Sequence, residues 1–159
     1  MKTTLEMVHE FHKAFNVSTQ DRPGFPANFT PTTAMYLKHF ADVLHRLAIN
    51  AHTAAAELQQ DTALIRVQLM TEELAEVVEA MAEGNINQVL HEGADLRYVV
   101  DGTMLAFGLG DVYERAVELI HEANMTKLGD DGKPVINEAG RIVKGPNFKK
   151  ADVSKLTRI

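Results

Sequence analysis

Between Leu64 and Thr103 the chain sets an unusual number of carboxylates among apolar residues, and the direction of those acids constrains what it can fold into. The first run, Leu64 to Met81, carries Glu72, Glu73, Glu76 and Glu79; the second, Val89 to Val100, carries Glu92 and Asp95. Both have helical period and composition, with Gly84-Asn85 as the stop and Asn85 or Asn87 as the cap of the second. At about 100° of rotation per residue, Glu92 and Asp95 fall within roughly 60° of each other, in the arc that also holds Val89, Leu96, Val99 and Thr103. The first helix has an arc of Glu72, Glu73, Glu76 and Glu79 that continues into Ile65 and Leu69. A second arc holds Val67, Met70, Leu74, Val77, Val78 and Met81. A helix apolar on two sides is expected to be central.

The first helix alone could present a solvated acidic face. Glu92 and Asp95 on an apolar face change that reading, because a buried carboxylate must be protonated, paired with arginine or joined to a cation. By helical angle Arg97 points away from both acids, and Arg66 lies on the far side of its helix from Glu72 to Glu79. A cation is then the better candidate, and all-oxygen donors select a hard one, magnesium or manganese in its place.

The remaining elements also read as helices. Thr4 to Phe15 puts Leu5, Val8, Phe11 and Phe15 on one side, with His12 in the same arc. Asn16 to Pro31 is a turn-rich loop whose Phe25 and Phe29 either anchor it to the core or cover a ligand. Thr32 or Thr33 is expected to cap a long helix toward Leu58, with Met35, Tyr36, Phe40, Val43, Leu44 and Leu47 as its apolar residues. Ala48 to Ala56 lacks a bulky stripe, which suits close helix packing or a subunit contact. Asp61 is expected to cap the acidic helix. Asp111 with Glu114 reads as a capping box opening a helix to about Leu128, with Val112, Ala116, Leu119, Ile120 and Ala123 as its apolar arc and Lys127 within it. A lysine on such a face needs an anionic partner. Beyond Gly129, Lys133 to Ile136 and Arg141 to Lys144 around Asn137-Gly140 read as a small hairpin resting on helices.

The expected fold is therefore all-α: a bundle of about five helices with a four-helix-bundle core and a small C-terminal β-hairpin and basic tail over about 129–159. At 159 residues one domain, 1–159, is expected. No apolar run long enough for a membrane span and no signal-peptide core occur, so cytoplasm is the expected compartment and no membrane the expected partner. Absence of cysteine excludes disulfides and thiolate metal sites. The net charge of -6 argues against a nucleic-acid binder, yet Lys127, Lys133, Arg141, Lys144, Lys149, Lys150, Lys155 and Arg158 gather in the tail.

Glu72-Glu73-x-x-Glu76 followed by Glu92-x-x-Asp95 resembles the magnesium-binding signature of the all-alpha nucleoside triphosphate pyrophosphohydrolases, comprising MazG-like proteins, dimeric dUTPases and phosphoribosyl-ATP pyrophosphohydrolases. His121-x-x-Asn124-Met125-Thr126-Lys127-Leu128-Gly129, with Asp131-Gly132-Lys133-Pro134 and Lys144-Gly145-Pro146-Asn147, looks like a MazG-like subgroup. The resemblance implies Mg2+, or Mn2+ in substitution, on Glu73, Glu76, Glu92 and Asp95. It implies Glu72 as the residue that orients or deprotonates water, with Glu79 the alternative that the residues alone leave open. It also implies Asn124 and Lys127 on substrate phosphates, Lys144 as a cation brought toward a triphosphate, and His12 near base or sugar. For His12 a core or interface role, for Lys127 a core carboxylate, and for Lys144 an ordinary surface position stay open. The implied reaction is hydrolysis of a nucleoside triphosphate, or its deoxy form, between the alpha and beta phosphates, as nucleotide-pool house-cleaning by a homodimer or homotetramer. A dUTPase-like activity and phosphoribosyl-ATP hydrolysis are the nearest alternatives. The latter ranks lower because those enzymes are typically shorter and lack such a tail.

Two readings come from other classes. Glu6-x-x-His9 and Glu118-x-x-His121 have the spacing of a di-iron carboxylate bundle, although helical angle puts all four off their apolar arcs. A non-catalytic helical adaptor would instead show Glu92 and Asp95 exposed.

Overall fold

The computed structural model describes residues 2–157. Its helices are α1 (Thr4–Ala14), α2 (Pro31–Glu57), α3 (Thr62–Ala82), α4 (Ile86–Ala106), α5 (Gly110–Met125) and the single turn α6 (Ser154–Thr157). The fold is all-α, and none of these helices is long and apolar enough to cross a membrane. Contacts group the chain into two compact units: Gln20–Gly108, which holds α2 to α4, and the residues up to Thr19 together with those from Leu109 on.

Within Gln20–Gly108, two tight reversals and three capped helix starts set the helix order. Pro31 opens α2 at a position where its missing N–H is harmless. The cap is Thr30, not Thr32 or Thr33; its Oγ1 accepts from the Thr33 N–H at 3.1 Å while Thr33 Oγ1 accepts from the Thr30 N–H at 3.3 Å. Asp61 caps α3 and Asn85 caps α4, each through its side chain. Gly84, at φ 69°, takes the left-handed conformation that closes α3. The α2–α3 link is less usual, because Gln59 and Gln60 are both left-handed, at φ 55° and 66°. The Gln60 N–H reaches back to the Ala55 carbonyl at 2.8 Å, which closes the helix end.

Alanine forms the core of this unit. Ala41, Ala48, Ala51 and Ala55 of α2 and Ala75, Val77 and Ala80 of α3 are buried. Small side chains let two backbones approach closely, so the flat stretch of α2 serves helix packing. The bulky residues expected to face inward lie outside: Met35, Tyr36, Phe40, Val43 and Leu47 on α2, and Val67 and Leu74 on α3, are exposed. A close alanine seam leaves no room for them between the helices.

In the other unit α1 lies against α5. Met7 and Phe15 are buried, Phe15 stacking on Phe11 with ring centroids 4.1 Å apart. Leu5 and Val8, expected on that face, are exposed. Helix α5 differs from expectation at both ends. Leu109 precedes it with no side-chain cap, so the Asp111–Glu114 box does not form, and the helix stops at Met125 rather than near Leu128. The hairpin is present in reduced form as two antiparallel bridges, Leu128 with Pro134 and Ile136 with Ile142. Gly145 lies so close to the end of α5 that a Cβ there would stand 2.9 Å from the Lys127 carbonyl oxygen. Lys149 donates its N–H to Thr126 Oγ1 at 2.8 Å, tying the tail to the same turn.

The alanine seam gives a direct test. Ala75→Leu keeps helix propensity but inserts three carbons where exposure is 0%. It is expected to cost about 1–3 kcal/mol by urea unfolding, and Leu74→Ala on the exposed side less than about 1 kcal/mol.

Candidate metal and active site

Helices α3 and α4 run antiparallel across the Gly84-Asn85 turn, so residues meet in rungs. Glu76 faces Glu92, and the two carboxyl groups share a hydrogen bond. Three residues earlier on α3 and three later on α4, Glu73 faces the charge of Asp95. One carboxylate oxygen from each of Glu73, Glu76 and Glu92 lies within 4.8 Å of the others. His91, Glu92 and Asp95 form a second such trio, so Glu92 belongs to both. It is also the acid most withdrawn from water, at 6% exposure. Asp95 is half-exposed and pairs with His91 Nε2 at 3.3 Å.

The cost of this crowding appears in proton affinity. Burial, then the charges of Asp95, Glu92 and Glu72, hold the Glu73 carboxyl above its ordinary value. Glu76 is pushed up to about 6, first by burial, then by its hydrogen bond to Glu92 and the charges of Glu73, Glu92 and Glu72. Acids so placed gain from any positive charge set between them. The donor set is carboxylate oxygen, with one imidazole at its edge on His91. That set fits a hard divalent cation, with Glu73, Glu76, Glu92 and Asp95 as the residues that would hold it.

Sequence spacing thus brings four of the five signature acids to one seam. Glu72 turns elsewhere. It lines a cleft of about 490 Å³ with His45, Ala48, Ile49, His52 and Gln68, on the α2 side of α3. His45 lines this cleft and also a second one of about 390 Å³ shared with Glu76, Glu79, Gln88 and Glu92. The remaining nominated residues lie in the other unit. His12 is half-buried beside Phe11. Asn124 lines a small cavity with Met7, Phe11 and His121. Lys127 lies in the turn beyond α5, so the helical angle that set it on a buried face does not apply. The Lys144 ammonium rests 4.7 Å from the centre of the Phe148 ring.

Several participants escaped sequence reasoning. Gln88 hydrogen-bonds Glu92, and His91 pairs with Asp95, both at the i, i+4 spacing that a helix face makes legible. His45, 3.4 Å from Glu79, comes from thirty-four residues away and left no local signal. Phe25 and Phe29 pack on each other, centroids 4.7 Å apart. The di-iron spacing dissolves. Contrary to the angular expectation, the side chains of Glu118 and His121 are mostly buried, at 18% and 15% exposure. Each has its own partner: His121 bonds Glu10 at 3.1 Å, and Glu118 bonds Arg115 at 2.7 Å. Glu6 closes the capping box with Thr3.

The sequence profile of the phosphoribosyl-ATP pyrophosphohydrolase family matches residues 37–124, a span that contains every acid of the seam. No curated protein matches the chain. Among solved structures it is similar to a protein of Exiguobacterium sp. 255-15 described as a candidate NTP pyrophosphohydrolase. The TM-score is 0.59 and the identity 18%, over 99% of this chain and 95% of that one. That likeness bears on the fold.

The raised Glu76 fixes a pH dependence. Because its folded pKa, about 6, exceeds the ordinary 4.5, its contribution to stability is complete below 4.5 and is lost as pH rises through 6. The metal-free wild type is therefore expected to lose melting temperature relative to Glu76→Gln between pH 4.5 and 6.5. Added Mg2+ at pH 7 is expected to restore the wild type and not the variant, read by calorimetry across the series.

Proposed function

The chain belongs to the phosphoribosyl-ATP pyrophosphohydrolase family, within the MazG-like all-alpha pyrophosphohydrolases, and from that premise we propose a divalent-cation-dependent nucleotide pyrophosphohydrolase. Its substrate is a nucleoside triphosphate or deoxynucleoside triphosphate, cleaved between the alpha and beta phosphates to a nucleoside monophosphate and pyrophosphate. The role is removal of unwanted nucleotides from the pool. The observation that carries this reading is the convergence of Glu73, Glu76 and Glu92 on one point around a carboxylate shut away from water.

Hydrolysis at a phosphoric anhydride needs the polyphosphate charge offset, a water held in line with the breaking bond, and a base for its proton. Mg2+, or Mn2+, supplies the offset when bound and lowers the pKa of water beside it. Glu73, Glu76, Glu92 and Asp95 fix where that charge sits. Gln88, one turn earlier on α4, hydrogen-bonds the Glu92 carboxylate and so restrains its orientation. Glu72 turns toward the α2 cleft, yet its charge still acts on Glu73 and Glu76; it would take the proton as water attacks the alpha phosphorus and pyrophosphate leaves. The exposed apolar face of α2 supports self-association as a homodimer or homotetramer.

A second substrate reading, favoured by the family match itself, is phosphoribosyl-ATP, which carries the same scissile anhydride. A dUTPase-like preference is a third. A non-catalytic adaptor would display its acids to solvent, and the near-complete burial of Glu92 weighs against it.

Pyrophosphate release is expected from at least one canonical or modified nucleoside triphosphate, or from phosphoribosyl-ATP, only with Mg2+ or Mn2+ present. Glu76→Gln and Glu92→Gln are expected to lower kcat by more than about a hundredfold, the loss of several kcal/mol of charge stabilisation. Glu72→Gln is expected to lose about 10²–10⁴-fold in kcat while keeping its heat of Mg2+ binding. No turnover across the whole panel with either cation overturns the assignment.

A further inference from the structure

The rungs that bring the acids together continue down the same seam. Seven residues before Glu73 on α3, and seven after Asp95 on α4, the next heptad sets Arg66 opposite Gly102. A Cβ built on Gly102 would lie 3.3 Å from Arg66 Nη1, 3.8 Å from Nη2 and 3.9 Å from Cζ. The Nη edge of the guanidinium therefore points at a spot that a larger residue would fill. The sequence reading had set Arg66 on the far side of α3 from the acids; it lies in the α3–α4 seam with them.

Arg66 is also short of partners. Its Nε is the one buried side-chain nitrogen or oxygen among the described residues that has no hydrogen-bond partner. No carboxylate lies within 4.0 Å of its guanidinium among the described residues, although the chain carries 22 acids. Arginine cannot shed its charge, and a part-buried guanidinium without an anion is a site held ready for one. Its planar fork fits phosphate oxygens two at a time.

We infer that Arg66, seated on Gly102, is the binding residue for the terminal phosphate of the substrate's triphosphate. This rests on the pyrophosphohydrolase reading above and adds to it a second anchor on the same seam. At 1.5 Å of rise per residue, seven residues place the Arg66 rung about 10 Å from the Glu73 rung. A polyphosphate laid along the seam would have its cleaved end at the acids and its free end at the guanidinium. Such an arrangement measures chain length, because a monophosphate at the acids cannot reach the arginine.

Inorganic triphosphate is the probe, titrated calorimetrically into the whole protein with Mg2+ present. Arg66→Met is expected to bind it at least tenfold more weakly than wild type. Arg66→Lys is expected to fall between, since it keeps the charge without the fork. Gly102→Val retains the arginine but occupies its seat, and it too is expected to weaken binding, which keeps the idea testable if Arg66→Met does not fold. Heats of Mg2+ binding are expected to be unchanged in all three. Triphosphate affinity within twofold of wild type in both Arg66→Met and Gly102→Val overturns the inference. So does a change confined to oligomeric state by light scattering, which would give Arg66 to a contact with another copy. Arg66-dependent binding without turnover of any nucleotide would instead support the anion seat and sink the hydrolase reading, whereas turnover with an Arg66-independent affinity would do the reverse.

Discussion

Repulsion among carboxylates on α3 and α4 is the constraint from which the rest of this molecule takes its meaning. Glu73, Glu76 and Glu92 each bring a carboxylate oxygen within 4.8 Å of the others, with Glu92 removed from solvent, and the pKa of Glu76 is pushed up to about 6 in response. Left to themselves, these groups would push the two helices apart. They are held by geometry that does not depend on them. The Gly84 turn and the Asn85 cap fix the reversal, and Gln88 and His91 each occupy one acid from within α4. Acids crowded together by rigid elements suit a divalent cation, whose charge would offset their repulsion.

Rigidity on the other side of α3 comes from alanine. Buried alanines at positions 41, 48 and 55 recur at a heptad interval on α2 and let it lie close to α3. Close approach brings His45 and His52 within reach of Glu79 and Gln68 and opens the cleft that Glu72 lines. The same packing turns the bulky residues of α2 outward. Core and surface are thus inverted relative to the usual expectation that large apolar side chains mark the interior.

That inversion explains where the sequence could be read and where it misled. The acids were legible because helical period and a short turn leave few ways to arrange two adjacent helices. Asp61 and Asn85 were legible because their capping chemistry is local. Thr30 was missed because Pro31 reads as a loop residue, when proline is well suited to the first turn of a helix. Met35, Tyr36, Phe40 and Leu47 were misplaced because hydrophobicity says which residues avoid water, and the small residues between them decide which face can approach a neighbour. Lys127 was placed by extrapolating α5 past Met125, where no cap or glycine announced the stop. His45 and Arg66 acquire their surroundings only from tertiary pairing, which no window of sequence contains.

The near contact of Gly145 with the carbonyl of Lys127 joins two points of the chain that are eighteen positions apart. Lys144 and Lys127 are consequently mounted on a common clasp, with the Thr126 hydroxyl holding Lys149 as its second rivet. A bulkier residue at 145 would pry the clasp open, and both cations would lose their mounting in a single event even though neither had been altered.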